Sequence, residues 1–558
     1  MKFFKRLLLI FFLLTGILLI VAGVVYKMET RLEFPQIDNR SIAEQERENP
    51  GNDFYVLGAN WLKKNDYGIW EMYLEGNAFE RGIAHGKLAR ELVQDQEHYF
   101  VDQIKELVPS DFYLRFLKYF VRWFNRDIDE YIPEEYKKEI YGVSFSASDD
   151  YGFIGNNYER ILNYHAAHDI GHALQNLALV GCTSFSTWDD NSKKGDLFIG
   201  RNFDFYAGEN FAKDKILLFI NPDKGYKLAT VSWGGFIGVV SGMNEKGLSV
   251  TMNAAKSEIP GGAATPISII GREILQYAAN IEEAFQIAKK RRSFVSESIM
   301  IGSETDGKTA LIEITPDTTI LFMPQASNSK MLCSNHFRSE YFSGLELHKR
   351  DRERSASAYR FERLKELMQH YDTLDAEKYA AILRDRKGLG NEDIGTGNEK
   401  ALNQLIAHHA VIFNLTKKIF WLSANPFQLG AFIPYQLDEV FDKYPGLKMD
   451  SAIYNRDLII PADTFLQHPE YDRFLTYKSL LKKIKKAIAN KTQLDDKLLG
   501  DFEAANPQMY LTHWVLGNYY AIQENCNKAE QHYQKALELE IPNKGEAEQI
   551  EKDRLNCS

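Results

Sequence analysis

Cysteine is scarce in this chain of 558 residues, which has only four: Cys182, Cys333, Cys526 and Cys557. The four are scattered, so they include no CxxC pair for a zinc ribbon and define no disulfide framework. A low cysteine content suits an exported protein that avoids unwanted bridges. A cysteine that such a chain keeps then has another reason to be there.

The chain also lacks an excess of positive charge and the motifs of nucleotide-binding proteins. Its 67 basic and 77 acidic residues give a net charge of −10, which disfavours a nucleic-acid partner. No Walker, GxGxxG or EF-hand pattern occurs, and we expect no cofactor. Aromatic residues are abundant, with 29 Tyr and 35 Phe, and they favour a large core containing aromatic strands.

One long hydrophobic run lies at the N-terminus. Lys2, Lys5 and Arg6 precede an uncharged stretch from Leu7 to Val25. Such a helix spans about 28 Å, close to the hydrocarbon thickness of a bilayer. The basic flank is expected to stay in the cytoplasm, and no small-x-small cleavage site follows. We therefore expect a retained signal anchor, rather than a cleaved signal peptide or a buried helix, and a periplasmic or extracellular catalytic domain.

The character of the sequence changes after the first cysteine. Residues 70–180 have mostly helical periodicity, whereas short apolar runs with turn signals, such as Asn244–Gly247, follow Thr183. Helical patterns return at 266–290 and 355–386. This order lacks strict βαβ alternation and predicts an α+β layered domain.

We expect six segments along the chain. They are a transmembrane anchor at 1–29, a linker at 30–69, a helical pro-region at 70–181, a catalytic domain at 182–440, a helical connector at 441–504 and a helical tail at 505–558.

Cys182 stands where the predicted helical region meets the first predicted strand. Taken alone, such a cysteine is more often a small buried hydrophobic residue. If residues 183–205 form a hairpin, however, Arg201 and Asp204 return beside it. A guanidinium group would stabilise a thiolate, and a carboxylate would hold an ammonium group. An N-terminal cysteine needs these neighbours, because its own α-amine, with a pKa of about 7.7–8.0, takes the thiol proton.

Several motifs in chain order together resemble one family. The stretch 70–430 is similar to the N-terminal-nucleophile superfamily that contains choloylglycine hydrolases, N-acylethanolamine acid amidase and acyl-CoA:6-aminopenicillanic acid acyltransferase. The matching positions are the nucleophile Cys182, Arg201 and Asp204 of GRNFDF, the hairpin Ser241–Val250, the oxyanion-hole Asn253, the second active-site asparagine Asn335 and the late arginine Arg360.

The resemblance implies a four-layer αββα fold and a thiol enzyme that acts on a small-molecule acyl amide or thioester. Residues 76–86 resemble the GxxxERGxxxG start of the acyltransferase branch, which implies autocatalytic cleavage between Gly181 and Cys182. Asp204 and Asn335 would then orient the new α-amine. The arginines would lower the thiol pKa or order the site.

Two groups of histidines have alternative interpretations. His165, His168, Asp169 and His172 recur on one face of a predicted helix, so a metal site is an alternative to a polar helix face or a hydrogen-bonded support. We favour no metal. The pair at 408–409 precedes a predicted strand, and alternation predicts that both side chains cannot enter one site.

The segment 510–543 resembles one tetratricopeptide repeat, with small residues where two helices cross. One copy cannot form a stable solenoid, so packing on the main domain is favoured over binding of a peptide partner. Two functions remain from the sequence. The first is a cysteine amide hydrolase or acyltransferase, and the second is a membrane-anchored interaction protein with a retired catalytic fold.

Overall fold

Two β-sheets and the helices around them form a mixed α+β structure, as expected. The computed structural model describes residues 2–107, 110–173, 181–206, 208, 210–256, 262–325 and 327–557. The strands are β1 Glu48–Gly51, β2 Phe54–Leu57, β3 Asn60–Lys64, β4 Trp70–Gly76, β5 Thr183–Asp189, β6 Gly195–Phe203, β7 Ile216–Pro222, β8 Leu228–Ser232, β9 Ser241–Asn244, β10 Leu248–Ala254, β11 Glu297–Ser303, β12 Lys308–Ile314, β13 Thr319–Phe322, β14 Lys330–Cys333, β15 His409–Asn414, β16 Ile419–Ser423 and β17 Phe432–Gln436.

The strand order is β1-β2-β3-β4-β7-β8-β9-β10-β11-β12-β13 in the larger sheet and β14-β5-β6-β15-β16-β17 in the smaller one. The helices are α1 Lys2–Glu29, α2 Ala78–Leu88, α3 Arg90–Leu107, α4 Asp111–Phe124, α5 Ile128–Tyr131, α6 Glu134–Ser144, α7 Asn157–Ala173, α8 Ile267–Tyr277, α9 Ile281–Lys290, α10 Glu340–Ser343, α11 Glu346–Arg354, α12 Ser357–Gln369, α13 Ala376–Leu383, α14 Leu437–Lys443, α15 Pro469–Asn490, α16 Asp496–Ala505, α17 Tyr510–Ile522, α18 Cys526–Leu537 and α19 Lys544–Cys557.

The linker expected at 30–69 is wrong, because β1–β3 lie within it, and β4 lies inside the expected helical pro-region. These strands belong to the larger sheet, where β4 pairs in parallel with β7. Charged residues in these strands interrupt the apolar pattern from which a strand is predicted. Lys63 and Glu71 are buried on β3 and β4, with 3.1 Å between Nζ and Oε2. From the sequence alone, the two charged residues of such a buried ion pair are predicted to be exposed to solvent.

Three apolar clusters hold the sheets and helices together. The first joins the larger sheet to α8 and α9, through residues such as Ile270 and Ile301. The second takes side chains from both sheets, including Met300 and Val411. The third joins the smaller sheet to α12 and α13. Burial of these side chains drives the association of the elements, because each contributes about 1.5–3 kcal/mol when removed from water.

The helices α15–α19, here called the tail helices, share one apolar cluster. The tail after residue 505 contains three helices rather than a single hairpin, and α17 packs against α18 as expected. A disulfide joins Cys526 to Cys557, a pairing that the scattered cysteines did not predict. The tail contacts the main domain at Asn398, whose Nδ2 donates to the carbonyl of Glu540 at 2.9 Å.

The N-terminal helix is long and apolar. Among the described residues, Phe11–Glu29 forms a stretch that could cross a membrane by length and composition, and none of it is buried in the protein. A signal sequence meets the same criteria. The helix end contacts α4, where the Tyr26 hydroxyl donates to the Tyr119 carbonyl at 3.1 Å.

Candidate active site

Cys182 lies immediately before β5 and is only 1% exposed. The predicted hairpin is confirmed, because β5 pairs with β6 and places Ser184 opposite Arg201. One step further along, the Gly181 amide donates to the carbonyl of Asp204 at 2.9 Å. The hairpin therefore brings the guanidinium group and the carboxyl-bearing residue to the cysteine, as the spacing predicts.

Arg201 touches the thiol and is itself firmly held. Its Nη2 lies 3.7 Å from the Cys182 Sγ, and its Nη1 donates to the Val240 carbonyl at 2.7 Å. Nη1 also donates to the Ser241 hydroxyl, and Nη2 to the carbonyl of Met252. These bonds fix the positive charge next to the sulfur while leaving it fully buried.

The thiol is not activated in the uncut chain. Burial raises the pKa of Cys182 to about 11, although Arg201 acts in the opposite direction. Arg201 and Arg360 both act to lower the thiol pKa. Desolvation of the anion outweighs both cations in the uncut chain, because the sulfur has almost no contact with water.

Asp204 is a buried acid with two free oxygen atoms. Neither carboxyl oxygen has a hydrogen-bond partner among the described residues. Burial raises its pKa to about 8, against the opposing charges of Arg360 and Arg201. The group therefore keeps its proton near neutral pH in the uncut chain.

Asn253 lies on β10 and is held from one side only. Its Oδ1 accepts a hydrogen bond from the Ser184 hydroxyl at 2.6 Å. Its Nδ2 is buried and has no partner among the described residues. A buried amide donor without an acceptor costs about 1–3 kcal/mol, and it is ready to bond an oxygen atom that arrives later.

Asn335 and Arg360 are joined by a hydrogen bond. The Asn335 Oδ1 accepts from Arg360 Nη2 at 2.7 Å, and its Nδ2 donates to the Ala254 carbonyl at 2.9 Å. Arg360 Nη1 donates to the Glu399 carbonyl at 2.9 Å. Through Ala254, which follows Asn253 on β10, this pair is tied to the strand that carries the free amide. The six predicted residues thus belong to one connected region.

Aromatic side chains surround the thiol. The Trp233 and Phe236 rings stack with centroids 4.0 Å apart. The cluster of buried side chains around the cysteine contains Cys182, Phe203, Phe205, Phe211, Trp233, Phe236 and Val240. These aromatic side chains therefore belong to the same buried cluster as the cysteine.

Two histidines from the segment before Cys182 accept hydrogen bonds from the loop at 233–237, which carries Trp233 and Phe236. His85 Nε2 accepts from the Gly235 amide at 3.1 Å, and His165 Nε2 accepts from the Ile237 amide at 3.0 Å. Burial lowers the pKa of both imidazoles to about 4, so both are neutral. The motif at 76–86 contains His85 but does not by itself indicate this role for the side chain.

The alternative metal site on the helix is not formed by its described members. His165 Nδ1 also bonds the Ile161 carbonyl at 2.8 Å, so both ring nitrogens are occupied. Asp169 accepts from the Ile267 amide at 2.7 Å. The side chains of His168 and His172 lie outside the described residues.

The prediction for the adjacent histidines His408 and His409 is wrong. Their Nδ1 atoms are 2.8 Å apart, because His408 precedes β15 and does not follow its alternation. His409 Nε2 contacts the Ser241 hydroxyl at 2.9 Å, which in turn accepts from Arg201. The His408 ring lies 4.8 Å from the Phe211 ring, centroid to centroid. Both histidines therefore border the site.

Gln404 is a further residue that the sequence did not indicate. Its Nε2 donates to the Gly181 carbonyl at 2.8 Å across 223 residues of chain. No motif marks it, and no local spacing relates it to the cysteine.

Residues 190–422 match the family model of acyl-coenzyme A:6-aminopenicillanic acid acyl-transferase. The matched stretch contains Arg201, Asp204, Asn253, Asn335 and Arg360, and it begins after the cysteine. The chain is therefore similar to that family over this stretch.

Two curated relatives are similar over part of their length. An uncharacterized protein of Archaeoglobus fulgidus is 28% identical over 269 residues, covering 45% of this chain and 44% of the relative. Protein dcd1B of Dictyostelium discoideum is 23% identical over 270 residues, covering 45% and 51%. The chain spans about half the length of the curated relatives it matches.

Two solved structures are also similar. The Caenorhabditis elegans ortholog of N-acylethanolamine-hydrolyzing acid amidase shares 16% identity, with a TM-score of 0.30 over 42% of this chain and 93% of that one. A mutant conjugated bile acid hydrolase of Clostridium perfringens shares 15%, with a TM-score of 0.31 over 49% and 97%.

Proposed function

We propose that this chain is a self-processing cysteine hydrolase or acyltransferase that acts on linear amides through an acyl-enzyme on Cys182. The observation that carries the proposal is the fixed contact between the Cys182 sulfur and Arg201, with Asp204 bonded across the hairpin to Gly181. In this proposal the two sheets and their flanking helices correspond to four layers, αββα. Toward an external substrate, the thiol acts as a nucleophile only after cleavage gives it a free α-amine.

Cleavage would begin with attack of the thiol on the Gly181 carbonyl carbon. The thiol proton passes to the Cys182 nitrogen, the C–N bond breaks, and a thioester forms, which water then hydrolyses. The new α-ammonium group would favour the carboxylate form of nearby Asp204. The free amine of the cut chain then acts as the base for its own thiol.

In the cut enzyme the thiolate would attack an amide or thioester carbonyl. The unpartnered Nδ2 of Asn253 supplies a donor for the resulting oxyanion. Asn335 and Asp204 orient the α-amine, which passes its proton to the leaving group. Water or a second amine takes the acyl group. The aromatic residues around the sulfur favour an apolar acyl group.

The same proposal places the enzyme outside the cytoplasm, tethered by α1. Exposed aromatic side chains of α4, among them Phe116 and Phe120, lie on the helix that contacts the end of α1 at Tyr26. Aromatic side chains in this position suit a membrane interface. The Cys526–Cys557 disulfide fits an oxidising compartment.

The test compares Cys182→Ala with Cys333→Ala, because Cys333 is the other free buried cysteine among the described residues. Purified proteins are run on a denaturing gel and assayed on N-acyl amino acids, N-acyl ethanolamines, bile-salt conjugates and penicillins. We expect two pieces and turnover from the wild type and Cys333→Ala, and neither from Cys182→Ala. Turnover from Cys182→Ala equal to that of the wild type would contradict the proposal, whereas an uncut and inert wild type would favour the alternative of a retired fold with a binding tail.

A further inference from the structure

The carbonyl oxygen of Gly181 already has a side-chain donor in the uncut chain. Gln404 Nε2 lies 2.8 Å from it, and the glutamine is 2% exposed. The carbonyl oxygen can only accept, so the contact fixes which end of the amide faces it. This oxygen is the one that would become negatively charged when the thiol attacks.

Gly181 has to be a glycine for this contact to exist. A Cβ atom at that position would lie 2.1 Å from the Gln404 Nε2 and 2.5 Å from its Oε1. Any other residue would therefore push the amide away from the carbonyl. The glycine before the cysteine is thereby explained by the approach of one side chain.

The glutamine is positioned by the strand that carries the other site residues. Asn202, which lies between Arg201 and Phe203 on β6, donates through Nδ2 to the Leu402 carbonyl at 2.9 Å. Asn403 follows, and its amide donates to the Asp385 carbonyl at 2.8 Å. These bonds hold the two residues that directly precede Gln404, so Gln404 needs little reorganisation to serve as a donor.

We propose that Gln404 is a catalytic residue of the self-cleavage step and stabilises the oxyanion that forms at Gly181. This inference rests on the proposed function. Two side-chain amides then have separate roles. The free Nδ2 of Asn253 donates to the oxyanion formed on the acyl substrate, whereas Gln404 donates to the oxyanion formed at the peptide bond of the chain itself. Removal of a single oxyanion donor slows such steps about 10²–10³-fold.

The experiment follows cleavage of the full chain after synthesis, for wild type, Gln404→Ala and Gln404→Glu. The matched control is Gln428→Ala, which removes another fully buried glutamine that donates to a backbone carbonyl, that of Leu383. We expect cleavage about 10²–10³-fold slower in both Gln404 variants and unchanged in the control. Uncut Gln404→Ala should still unfold in one cooperative transition, as uncut Cys182→Ala does, which separates a catalytic loss from misfolding.

The outcomes separate the two proposals. A wild-type chain that is never cut overturns both the self-processing and the role of Gln404. A wild-type chain that is cut at the same rate as Gln404→Ala overturns only the second.

A separate observation concerns the tail helices. Glu503, His513 and His532 present ligand atoms within 4.8 Å of one another, with 3.3 Å between the two Nδ1 atoms. His513 Nε2 contacts the Pro507 carbonyl at 2.9 Å, and because that oxygen only accepts, this nitrogen carries the proton and leaves Nδ1 with a lone pair. Zinc-binding histidines use this backbone support, and ligand nitrogens at 2.0–2.1 Å from tetrahedral zinc lie about 3.3–3.4 Å apart.

The geometry points to a zinc-type divalent metal site formed by these three residues. Titration calorimetry of the full chain in detergent with zinc chloride tests it. We expect one site that is lost in His513→Ala and kept in His370→Ala, which changes an exposed histidine outside the group. The same zinc binding in His513→Ala as in wild type would overturn the assignment, and so would the absence of binding in wild type.

Discussion

The segment before Cys182 and the segment after it contribute differently to the same site. Every predicted reactive side chain lies at or after the cysteine, whereas the earlier segment supplies strands and supporting side chains. β4 pairs in parallel with β7, and His85 and His165 hold the loop at 233–237. A cut between Gly181 and Cys182 would therefore place the reactive residues and the supporting residues on two different chains, while both chains still form the same site.

The largest expected effect comes from breaking the ion pairs that join the two segments. Glu139 lies between Arg81, at 2.8 Å, and Arg272 of the later segment, at 3.3 Å, and all three are buried. Glu139→Ala removes the one acidic partner of buried Arg272 among the described residues and the shortest ion pair of Arg81, which keeps Glu135 and Asp223, so we expect a loss of about 3–5 kcal/mol in the free energy of unfolding. Chemical denaturation measures it. The exposed Glu134→Ala, on the same helix, should lose at most about 1 kcal/mol, and equal losses would contradict the role of the triad.

The next effect separates chemistry within the later segment. Asn253→Ala removes the free Nδ2 donor, so we expect kcat to fall about 10²–10³-fold while self-cleavage proceeds. Steady-state kinetics on the cut protein and a denaturing gel measure the two steps. Loss of cleavage to the same extent as loss of turnover would mean that one donor serves both reactions.

A smaller effect is expected at the boundary between the segments. His85→Ala leaves the Gly235 amide buried without its acceptor, at a cost of about 1–3 kcal/mol. Because Phe236 follows that amide, we expect a higher KM for apolar substrates, measured by kinetics on the cut protein. His98→Ala, which removes an exposed histidine of the same segment, should leave KM unchanged. An unchanged KM in His85→Ala would contradict the supporting role.

The last expected effect is a pH dependence in the uncut chain. The pKa of Asp204 is raised from 3.8 to about 8 by burial. Between these values the folded state binds one more proton than the unfolded state, so this group lowers stability as the pH rises. The melting temperature of uncut Cys182→Ala should therefore fall more from pH 5 to pH 8 than that of Cys182→Ala with Asp204→Asn. Identical profiles would contradict the raised pKa.

The sequence predicted the parts of the molecule that depend on local order. The hairpin that returns Arg201 to Cys182 was readable because its strands are adjacent in the chain. The strands before residue 70 were not, because they are stabilised by pairing with distant partners and by a buried Lys63–Glu71 pair. Gln404 could not be predicted for the same reason, because a long stretch of chain separates it from Gly181 and only the tertiary fold brings the two together. The Cys526–Cys557 pairing depends on how α18 and α19 pack.

The central claim is that one native particle contains two chains, the second of which starts at Cys182. Size-exclusion chromatography of the purified wild type, followed by denaturing mass spectrometry of the peak, tests it most directly. The account predicts a single native peak that yields two masses, one of them the mass of residues 182–558. A single mass corresponding to an uncut chain, from protein that turns over an acyl amide, would contradict it.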